Sequence, residues 1–470
     1  MPRIPFIGPS YTSQSPDADC SRTVNWYPED MEVMNGKTTQ TLYPTPGATL
    51  FVSLPQLVVR GLFTHRGRCF AVAGTGYYEI DTLGVVTLRG TVTIGSNPAF
   101  MCTNGDAGGQ VFIVTEGNAF CHTLATNAFA QVITGTADVG GFVDGYFLAL
   151  DAATSTLYYS ALNDGTSWPA LNIVQRSTAA DPWVSMVVSD RKVHLYGATT
   201  SESWYNSGDA LTPFVPVQGS LIQDGIAAPY SSVALVDNTR IWLTANTDGT
   251  GVVKRALGFL PQRISTHAIE HAIQNYEITS DATAWSYQEE GHTFYVLGFP
   301  TARATWVFDT TTGLWHERGW WDSALMRYET VRGRCHTYCF GKHLIGDRVG
   351  AGVYWQRVST YQDVGGTDLR RMRQGPHLTN DDEWIYYPEV RLILETGVAT
   401  PSVPDPQVML QWSDDGGHTW SNEHWASAGL VGHYGQHAVW HRCGRSRDRV
   451  FRVVTSDAVP FRLLDMQVGT

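Results

Sequence analysis

The chain has 470 residues, of which 43% are hydrophobic and 12% aromatic, so it has material for about two or three packed domains and is not a disordered segment. Only 16% of the residues are charged, and 32 lysines and arginines against 44 aspartates and glutamates give a net charge of -12. This balance excludes a surface built to coat nucleic acid by neutralising its phosphates.

The N-terminus and the cysteines indicate the compartment in which the chain folds. Residues 1–10 lack the apolar core of a secretory signal, and no segment approaches the ~18 consecutive apolar residues of a membrane span. We therefore expect no membrane anchor. The cysteines are odd in number and lack the dense spacing of a secreted disulfide scaffold, which favours a reducing compartment: Cys20, Cys69, Cys102, Cys121, Cys335, Cys339 and Cys443.

The first 59 residues differ from the rest of the chain. They are rich in proline and in short polar stretches, and they show little alternation of apolar and polar residues. We predict that residues 1–59 form an extended N-terminal arm, which lies on a partner rather than folding as an independent domain.

The middle of the chain contains internal repeats. Residues 144–150 align with 190–196 at an offset of 46, and 237–243 follow after 47 more residues. Looser copies extend the pattern in both directions and bring the number of units to seven, with turns at residues 67, 109, 145, 191, 238, 291 and 333. The spacing of 36 to 53 residues brackets the ~40–50 residues of a four-stranded propeller blade.

These repeats predict a β-propeller over residues 60–369. Seven blades are favoured, and six blades with an inserted segment are the alternative. A closed ring would bury the apolar faces of the units and remove exposed sheet edges. A β-sandwich array or a β-solenoid is the rival architecture. Long stretches of helical periodicity are missing from the sequence, so we predict an all-β fold.

Residues 370–470 return to clean alternation and predict a C-terminal β-sandwich. Five segments carry this pattern: 390–394, 407–412, 437–440, 450–454 and 461–464.

The sharpest local motif is an Asp-box, in which Ser413, Asp415, Gly417, Thr419 and Trp420 fit the pattern Ser-x-Asp-x-Gly-x-Thr-Trp. Its polar side chains can bond the backbone of their own hairpin, and its glycine supplies a positive φ. A sialidase-type hydrolase is the functional alternative. Because there is one copy and it lies outside the repeats, we interpret it as a structural turn.

Other candidate sites for chemistry are weaker. Adjacent carboxylates point to opposite faces of a strand, so we interpret three pairs as solvated turn residues: Glu289 with Glu290, Asp381 with Asp382, and Asp414 with Asp415. Cys335 and Cys339 would lie ~13 Å apart on one strand, too far for a shared zinc ion. We predict no catalytic residue, no metal site and no cofactor.

One basic cluster stands out in this acidic chain. It consists of Arg442, Arg445, Arg447, Arg449 and Arg452. These side chains could grip phosphates, but a polar rim that pairs with carboxylates of a neighbouring subunit is at least as good an interpretation. They are our candidate inter-subunit or partner contacts.

Three groups of residues resemble a known family. They are the segments 6–11 (FIGPSY), 25–29 (NWYPE) and 43–47 (YPTPG), the blade ending 308–318 (FDTTTGLWHER), and the C-terminal stretches 412–421 and 445–452. Together they resemble the tail accessory factor, or packaged-DNA stabilisation protein, which forms the tail nozzle of short-tailed bacteriophages. The resemblance spans nearly the whole chain.

This resemblance implies a structural virion protein that is not an enzyme. It implies a homo-oligomer, with a hexameric ring docked below the portal and the head-to-tail adaptor. Double-stranded DNA would be retained and then pass through the lumen without sequence recognition. Tailspike, fibre or needle proteins would attach below and outside. The location would be the virion tail, after assembly in the host cytoplasm.

Two other functions remain open from the sequence. A carbohydrate-active or glycan-binding propeller would need clustered arginines or paired acids at the propeller axis. A scaffold propeller that binds peptides at its axial face is the third alternative, although its signature dipeptides are absent.

Overall fold

The computed structural model describes residues 3–31, 38–176, 179–247 and 249–469. In these ranges strands dominate, and the helical segments are Gly105–Gly108, His267–Gln274 and the short 3-10 turn Val364–Gly366. No helix within the described ranges is long and apolar enough to cross a membrane.

Seven antiparallel sheets follow one another along the chain as blades, each running from an inner to an outer strand. Blade 1 contains Val59–His65, Arg68–Ala73, Gly76–Ile80 and Val86–Thr91. Blade 2 contains Phe100–Thr103, Gln110–Thr115, Gly117–Thr123 and Ala128–Ala137. Blade 3 contains Val139–Val143, Tyr146–Asp151, Thr156–Tyr159 and Ile173–Gln175. Blade 4 contains Trp183–Ser189, Lys192–Gly197, Ser201–Asn206 and Phe214–Pro216.

The last three blades are less regular. In blade 5 the short strands Gly225–Ile226 and Val233–Ala234 both pair with Arg240–Asn246, followed by Gly249–Leu257 and Leu260–Arg263. Blade 6 contains Thr283–Glu289, His292–Phe299, Ala304–Asp309 and Trp315–Glu317. Blade 7 contains Gly333–Cys339, Lys342–Asp347 and Gly352–Arg357, and its outer strand is Gly47–Ser53.

The blades form a closed ring. The inner strand of each blade contacts the inner strand of the next, and the inner strand of blade 7 contacts Val59–His65 of blade 1. Buried apolar side chains fill this last seam, among them Leu54, Val59, Leu344 and Val353. The predicted all-β propeller is confirmed, and the described residues form seven blades.

Two-residue turns with positive φ join the inner strand to the second strand in several blades. Asp144-Gly145 of blade 3 has φ values of 46° and 90°, and Glu290-Gly291 of blade 6 has 51° and 85°. Such turns match the twist of a hairpin, and glycine adopts them without strain. In blade 7 this turn is Phe340-Gly341, so the predicted turn at residue 333 is wrong by one strand. Gly333 begins the inner strand instead.

The N-terminal segment requires a larger correction. Instead of an extended arm, residues 3–31 and 38–53 contribute strands to both parts of the fold. Gly47–Ser53 closes blade 7 by pairing with Gly352–Arg357. The Arg373 guanidinium, buried in the C-terminal part, donates to the carbonyl oxygens of Phe6 at 2.6 Å and Pro9 at 2.9 Å. These partners lie hundreds of residues away in sequence, so no local pattern reveals them.

The C-terminal part is a two-sheet sandwich that includes N-terminal strands. One sheet contains Trp26–Asp30, Gln40–Pro44, Leu463–Val468, Glu389–Leu394 and Ala438–His441, with Arg3–Ile4 beside Leu463–Val468. The other continues blade 6 through Cys20–Val24, Arg371–Gln374, Asp448–Thr455, Gln407–Ser413 and His424–Ser427. Tyr11–Thr12 pairs with Cys20–Val24, and Leu378–Thr379 pairs with Asp448–Thr455. Boundaries at residues 59 and 369 therefore do not separate independent units.

Three short two-stranded sheets complete the fold. Two are hairpins, Trp320–Asp322 with Arg327–Glu329 and Gln362–Asp363 with Thr367–Asp368. The third pairs Ile385–Tyr386 with Arg445–Ser446, which are distant in sequence.

A histidine links blade 6 to the N-terminal segment. His292 Nδ1 lies 2.7 Å from Asp309 Oδ2, and its Nε2 lies 3.6 Å from Glu29 Oε2. The hydrogen bond to Asp309 raises the pKa of His292 above its ordinary value. The neighbouring His316 is buried, which holds its pKa well below the ordinary value and keeps it neutral.

We expect this link to weaken as the pH rises. A raised folded-state pKa stabilises the protein fully below the unfolded pKa of about 6.5, and that stabilisation is lost as the pH passes through the folded pKa. The His292→Gln variant should therefore show a flatter decline of stability between pH 6 and pH 8.5 than the unaltered protein. Chemical unfolding at a series of pH values measures this. Identical slopes for the two proteins would contradict the assignment.

Candidate interaction surfaces

The Asp-box folds into the turn that its sequence predicts. The Ser413 hydroxyl donates to Asp415 Oδ1 at 2.6 Å and accepts from the Gly417 amide at 2.8 Å. Asp415 also accepts from the Thr419 amide at 2.8 Å, and the Trp420 indole donates to the Gly417 carbonyl at 3.0 Å. These bonds hold the pKa of Asp415 well below its usual range. Each polar group of the motif serves the turn itself.

Arg449 anchors this turn to the sandwich. Its side chain is 2% exposed, and its Nε and Nη2 donate to the two carboxylate oxygens of Asp414 at 2.6 and 2.8 Å. Its guanidinium carbon also lies 4.6 Å from the ring centre of Tyr387. Because Arg449 is buried in its own chain, the prediction that it contacts a neighbouring subunit is wrong.

Arg452 points into a cleft between the propeller and the sandwich. The cleft has a volume of about 510 Å³. Arg452 donates to Gln374 Oε1 at 2.8 Å, and its guanidinium carbon lies 3.4 Å from the ring centre of Trp420. Burial, together with the positive charges of Arg22 and Arg370, lowers the pKa of Arg452 to about 10. Its described contacts are within the chain.

The remaining arginines of the cluster lie on the outside of the sandwich. The guanidinium carbons of Arg445 and Arg447 lie 4.4 and 5.1 Å from the ring centre of Trp384. Trp384 is 45% exposed, and Tyr386 beside it is 57% exposed. We name Trp384, Tyr386, Arg445 and Arg447 the aromatic-arginine patch. Arg442 is exposed nearby and adopts a positive φ of 59°.

The acidic side chains of the three adjacent pairs belong to turns or to contacts within the chain. Glu289 accepts a bond from the Val358 amide at 3.1 Å, whereas Glu290 occupies the hairpin turn of blade 6. Asp381 and Asp382 are exposed turn residues with positive φ, and the third pair is divided between the Arg449 ion pair and the Asp-box turn.

The possible metal ligands are also dispersed. In the described parts of the chain, no group of three or more histidine, cysteine or acidic side chains is placed to hold a metal ion. Cys335 and Cys339 have no disulfide partner, and Cys339 is buried at the seam between blades 7 and 1.

Sequence reasoning missed a group of arginines at the propeller axis. Arg332 and Arg334 stand at the start of the inner strand of blade 7, and Arg348 follows its second strand. They line one cavity of about 680 Å³. The signal available in the sequence was the Arg-Gly-Arg at 332–334, which resembles the Arg-Gly-Arg hairpin at 66–68 and was therefore interpreted as a turn.

Comparison with solved structures gives only distant likenesses. The computationally designed Ika8 protein is 14% identical with a TM-score of 0.42, covering 66% of this chain and 99% of its own. The N-terminal domain of Nup159 is 11% identical with a TM-score of 0.41, covering 70% and 97%. Virginiamycin B lyase from Staphylococcus aureus is 8% identical with a TM-score of 0.42, covering 70% and 99%. These likenesses are too weak to bear on function.

Comparison with protein families is far more specific, although no curated protein matches the chain. A family model described as "Bacteriophage P22 Gp10, beta-propeller" matches residues 2–356. A second, described as "Bacteriophage P22 Gp10, beta-sandwich", matches residues 370–470. The first match includes the N-terminal segment, in agreement with the strand Gly47–Ser53 that closes blade 7. The chain therefore belongs to the bacteriophage P22 Gp10 family and is a structural protein of the phage tail, not an enzyme.

Proposed function

We propose that six copies of this chain form a closed ring, the tail nozzle of a short-tailed bacteriophage. The ring docks below the head-to-tail adaptor, retains the packaged double-stranded DNA in the virion and conducts it during ejection. Tailspike, fibre or needle proteins attach below and outside. Assembly takes place in the host cytoplasm, before the virion is released.

The observation that carries this proposal is the match to both Gp10 domains along almost the entire chain. Gp10 is a tail component associated with the stabilisation of packaged DNA. The shared sheet adds a mechanical argument, because blade 6 continues through Cys20–Val24 into the sandwich. A load applied to the propeller would pass through this sheet to the sandwich.

The charge of the chain also fits a channel. Each copy carries a net charge of -12, and an acidic wall repels a phosphate backbone. DNA can slide past such a wall without adhering to it. A basic wall would bind the duplex through released counterions and would hinder ejection.

The aromatic-arginine patch supports contacts between copies. Tryptophan, tyrosine and arginine are the residues most enriched at the centres of protein interfaces. Trp384 is held by two arginines and remains 45% exposed, so it is ordered before any partner arrives. We infer that a neighbouring copy covers this patch in the ring.

A double variant, Trp384→Ala with Arg445→Ala, should therefore weaken assembly without unfolding the chain. An interface hot spot contributes at least ~2 kcal/mol, so the concentration needed for half-assembly should rise by at least about 30-fold. Analytical ultracentrifugation measures this concentration. Tyr205→Ala is a suitable control, because Tyr205 is 41% exposed on blade 4, outside the patch. Unchanged assembly of the double variant would show that the patch lies outside the interface.

Packaged-DNA retention tests the function itself. Phage particles assembled without this protein should release their DNA during purification, and adding the purified protein to the freshly filled particles should prevent the loss. The DNA content per particle is measured by absorbance and by nuclease protection. If particles without the protein keep a full genome, the retention role is wrong.

A further inference from the structure

One end of the propeller axis contains a cavity lined by residues of four blades and one hairpin, which we call the axial mouth. Its rim contains exposed residues before the inner strand of blade 2, including Asn97, and the exposed Val349 of blade 7. Tyr230 of blade 5 and Asp281 of blade 6 line one side, where Tyr230 pairs with Thr283, and Trp320 comes from the hairpin that follows blade 6. Because Asn97, Tyr230 and Asp281 precede the inner strands of three blades, the cavity lies at one end of the propeller axis, and its exposed rim opens to solvent.

Three arginines line this mouth, Arg332, Arg334 and Arg348. Arg60 lies behind its rim, where Arg60 Nε donates to the carbonyl of Asn97 at 2.9 Å. Carboxylates neutralise Arg60 and Arg332. Arg60 is fully buried, and its Nη2 donates to Glu116 Oε1 at 2.9 Å. The Arg332 guanidinium donates to the two oxygens of Asp347 at 2.8 and 2.6 Å. In both pairs a carboxylate of the same chain balances the guanidinium charge.

The other two arginines, Arg334 and Arg348, have no ion pair among the described residues. Arg334 donates to the Ser96 carbonyl, a neutral acceptor. The Nε of Arg348 is buried and has no hydrogen-bond partner in the described part of the chain. Burial, and secondly the charge of Arg334, lower the pKa of Arg348 to about 10.

Two desolvated cations side by side are costly unless an anion compensates them. The backbone makes room for this arrangement at Gly298 of blade 6. A Cβ at that position would lie 3.2 Å from Arg348 Nη2. The absence of a side chain at Gly298 therefore lets the Arg348 guanidinium pack against the backbone of blade 6 instead of being displaced toward solvent.

The cavity also has acceptors for hydroxyl groups. Asp281 Oδ2 accepts from the Thr301 amide at 2.8 Å, whereas its Oδ1 is buried without a partner in the described part of the chain. The hydroxyl of Thr283 is likewise buried and unpartnered among these residues. The negative charge of Asp281 acts on Arg348 in the opposite direction to burial and raises its pKa. An anionic group and a hydroxyl donor can therefore be satisfied by adjacent parts of one ligand.

We propose that the axial mouth binds an acidic saccharide, whose carboxylate or phosphate is held by Arg334 and Arg348 while a ring hydroxyl donates to Asp281. Guanidinium groups suit both anions because their donors match two oxygens at once. Trp320 and Tyr230 offer aromatic surface to the sugar ring. The volume of about 680 Å³ falls in the ordinary range of small-ligand pockets, about 300–1,000 Å³.

An NMR titration tests the proposal with four probes. Saturation transfer to carbon-bound protons follows D-glucuronic acid, glucose 6-phosphate and glucose, and 31P line broadening follows inorganic phosphate. We expect a millimolar dissociation constant for at least one acidic sugar and at least tenfold weaker binding of glucose. The stronger of the two acidic sugars identifies the anion as carboxylate or phosphate. Binding of neither sugar, or equal binding of glucose, would overturn the proposal.

Variants locate the site. Arg334→Gln and Arg348→Gln should each weaken the acidic sugar at least tenfold, while Arg447→Gln in the sandwich should leave it unchanged. Asp281→Ala should weaken binding of the acidic sugar but not of inorganic phosphate.

Two results would contradict the proposal: full binding of the acidic sugar by both arginine variants, or binding of inorganic phosphate as tight as that of glucose 6-phosphate. Displacement of the sugar by a 12-base-pair duplex at lower concentration would assign the site to DNA instead. Thermal unfolding checks that each variant is folded, and the binding comparison uses the folded variants.

Discussion

Replacing Trp26 with alanine is expected to destabilise the sandwich by about 3–5 kcal/mol, the usual cost of truncating a buried tryptophan. Trp26 is fully buried in the sandwich core, where it packs in one cluster with Phe6 and Leu42. Its indole also donates to the carbonyl of Phe461 at 2.9 Å. The substitution removes this bond and leaves a cavity between the N-terminal and C-terminal strands.

Hydrogen exchange measured by mass spectrometry can resolve this effect by region. Exchange in Glu389–Leu394 and Leu463–Val468 should accelerate by about 100- to 4,000-fold, whereas the distant blades 2 and 3 should change little. Trp384→Ala provides the matched control, since it is the same substitution at a 45% exposed site of the same domain. If both variants behaved alike, the N-terminal segment would not be part of the sandwich core.

Replacing Arg449 with alanine is expected to cost about 2–4 kcal/mol, because it breaks a bidentate ion pair and removes a buried side chain. Asp414 is 45% exposed and can be hydrated after the loss, which keeps the cost below that of a fully buried pair. The Asp-box turn should then detach from the sandwich. Faster exchange at residues 413–420, with little change in the propeller, would show this directly.

A double-mutant cycle isolates the pair. Arg449→Ala and Asp414→Ala should show a coupling energy of about 1–3 kcal/mol, since the two side chains touch. Arg447→Ala is the matched control, because Arg447 belongs to the same cluster but is exposed and lies 3.4 Å from the exposed Asp382. A coupling energy near zero, or an equal loss of stability in Arg447→Ala, would show that the Arg449–Asp414 ion pair does not anchor the turn.

The propeller was predictable because its evidence is local. Each hairpin contains a short turn between apolar strands, and the repeats at 144–150 and 190–196 show it clearly. Blade 7 was placed one strand early because the Arg-Gly-Arg at 332–334 imitates the true hairpin at 66–68. The actual turn, Phe340-Gly341, has an aromatic residue where the other turns have a polar one.

The N-terminal segment was not predictable because its evidence is not local. Gly47–Ser53 has its partner at 352–357, and Cys20–Val24 has its partners at 371–374 and in blade 6. Prolines and short polar stretches are typical of an arm when neighbouring residues are considered alone. Only the pairing of distant strands distinguishes such an arm from the closing strand of a ring.

The candidate sites, too, were predictable only where their contacts are local in sequence. The Asp-box was correctly interpreted as a structural turn because its bonds span only a few residues. The five arginines at 442–452 looked alike in sequence, yet Arg449 is buried and Arg445 is on the surface. Their alternation in sequence did not separate them, because only Arg449 and Arg452 lie on the long strand Asp448–Thr455, whereas Arg445 lies on the two-residue strand Arg445–Ser446.

Electron microscopy of the assembled protein tests the central claim most directly. The account predicts a closed six-fold ring. The central pore between the six copies should be about as wide as a DNA duplex, ~20 Å, and its wall should be mainly acidic. A chain that stays monomeric under assembly conditions, or a central pore lined with arginine, would contradict the account.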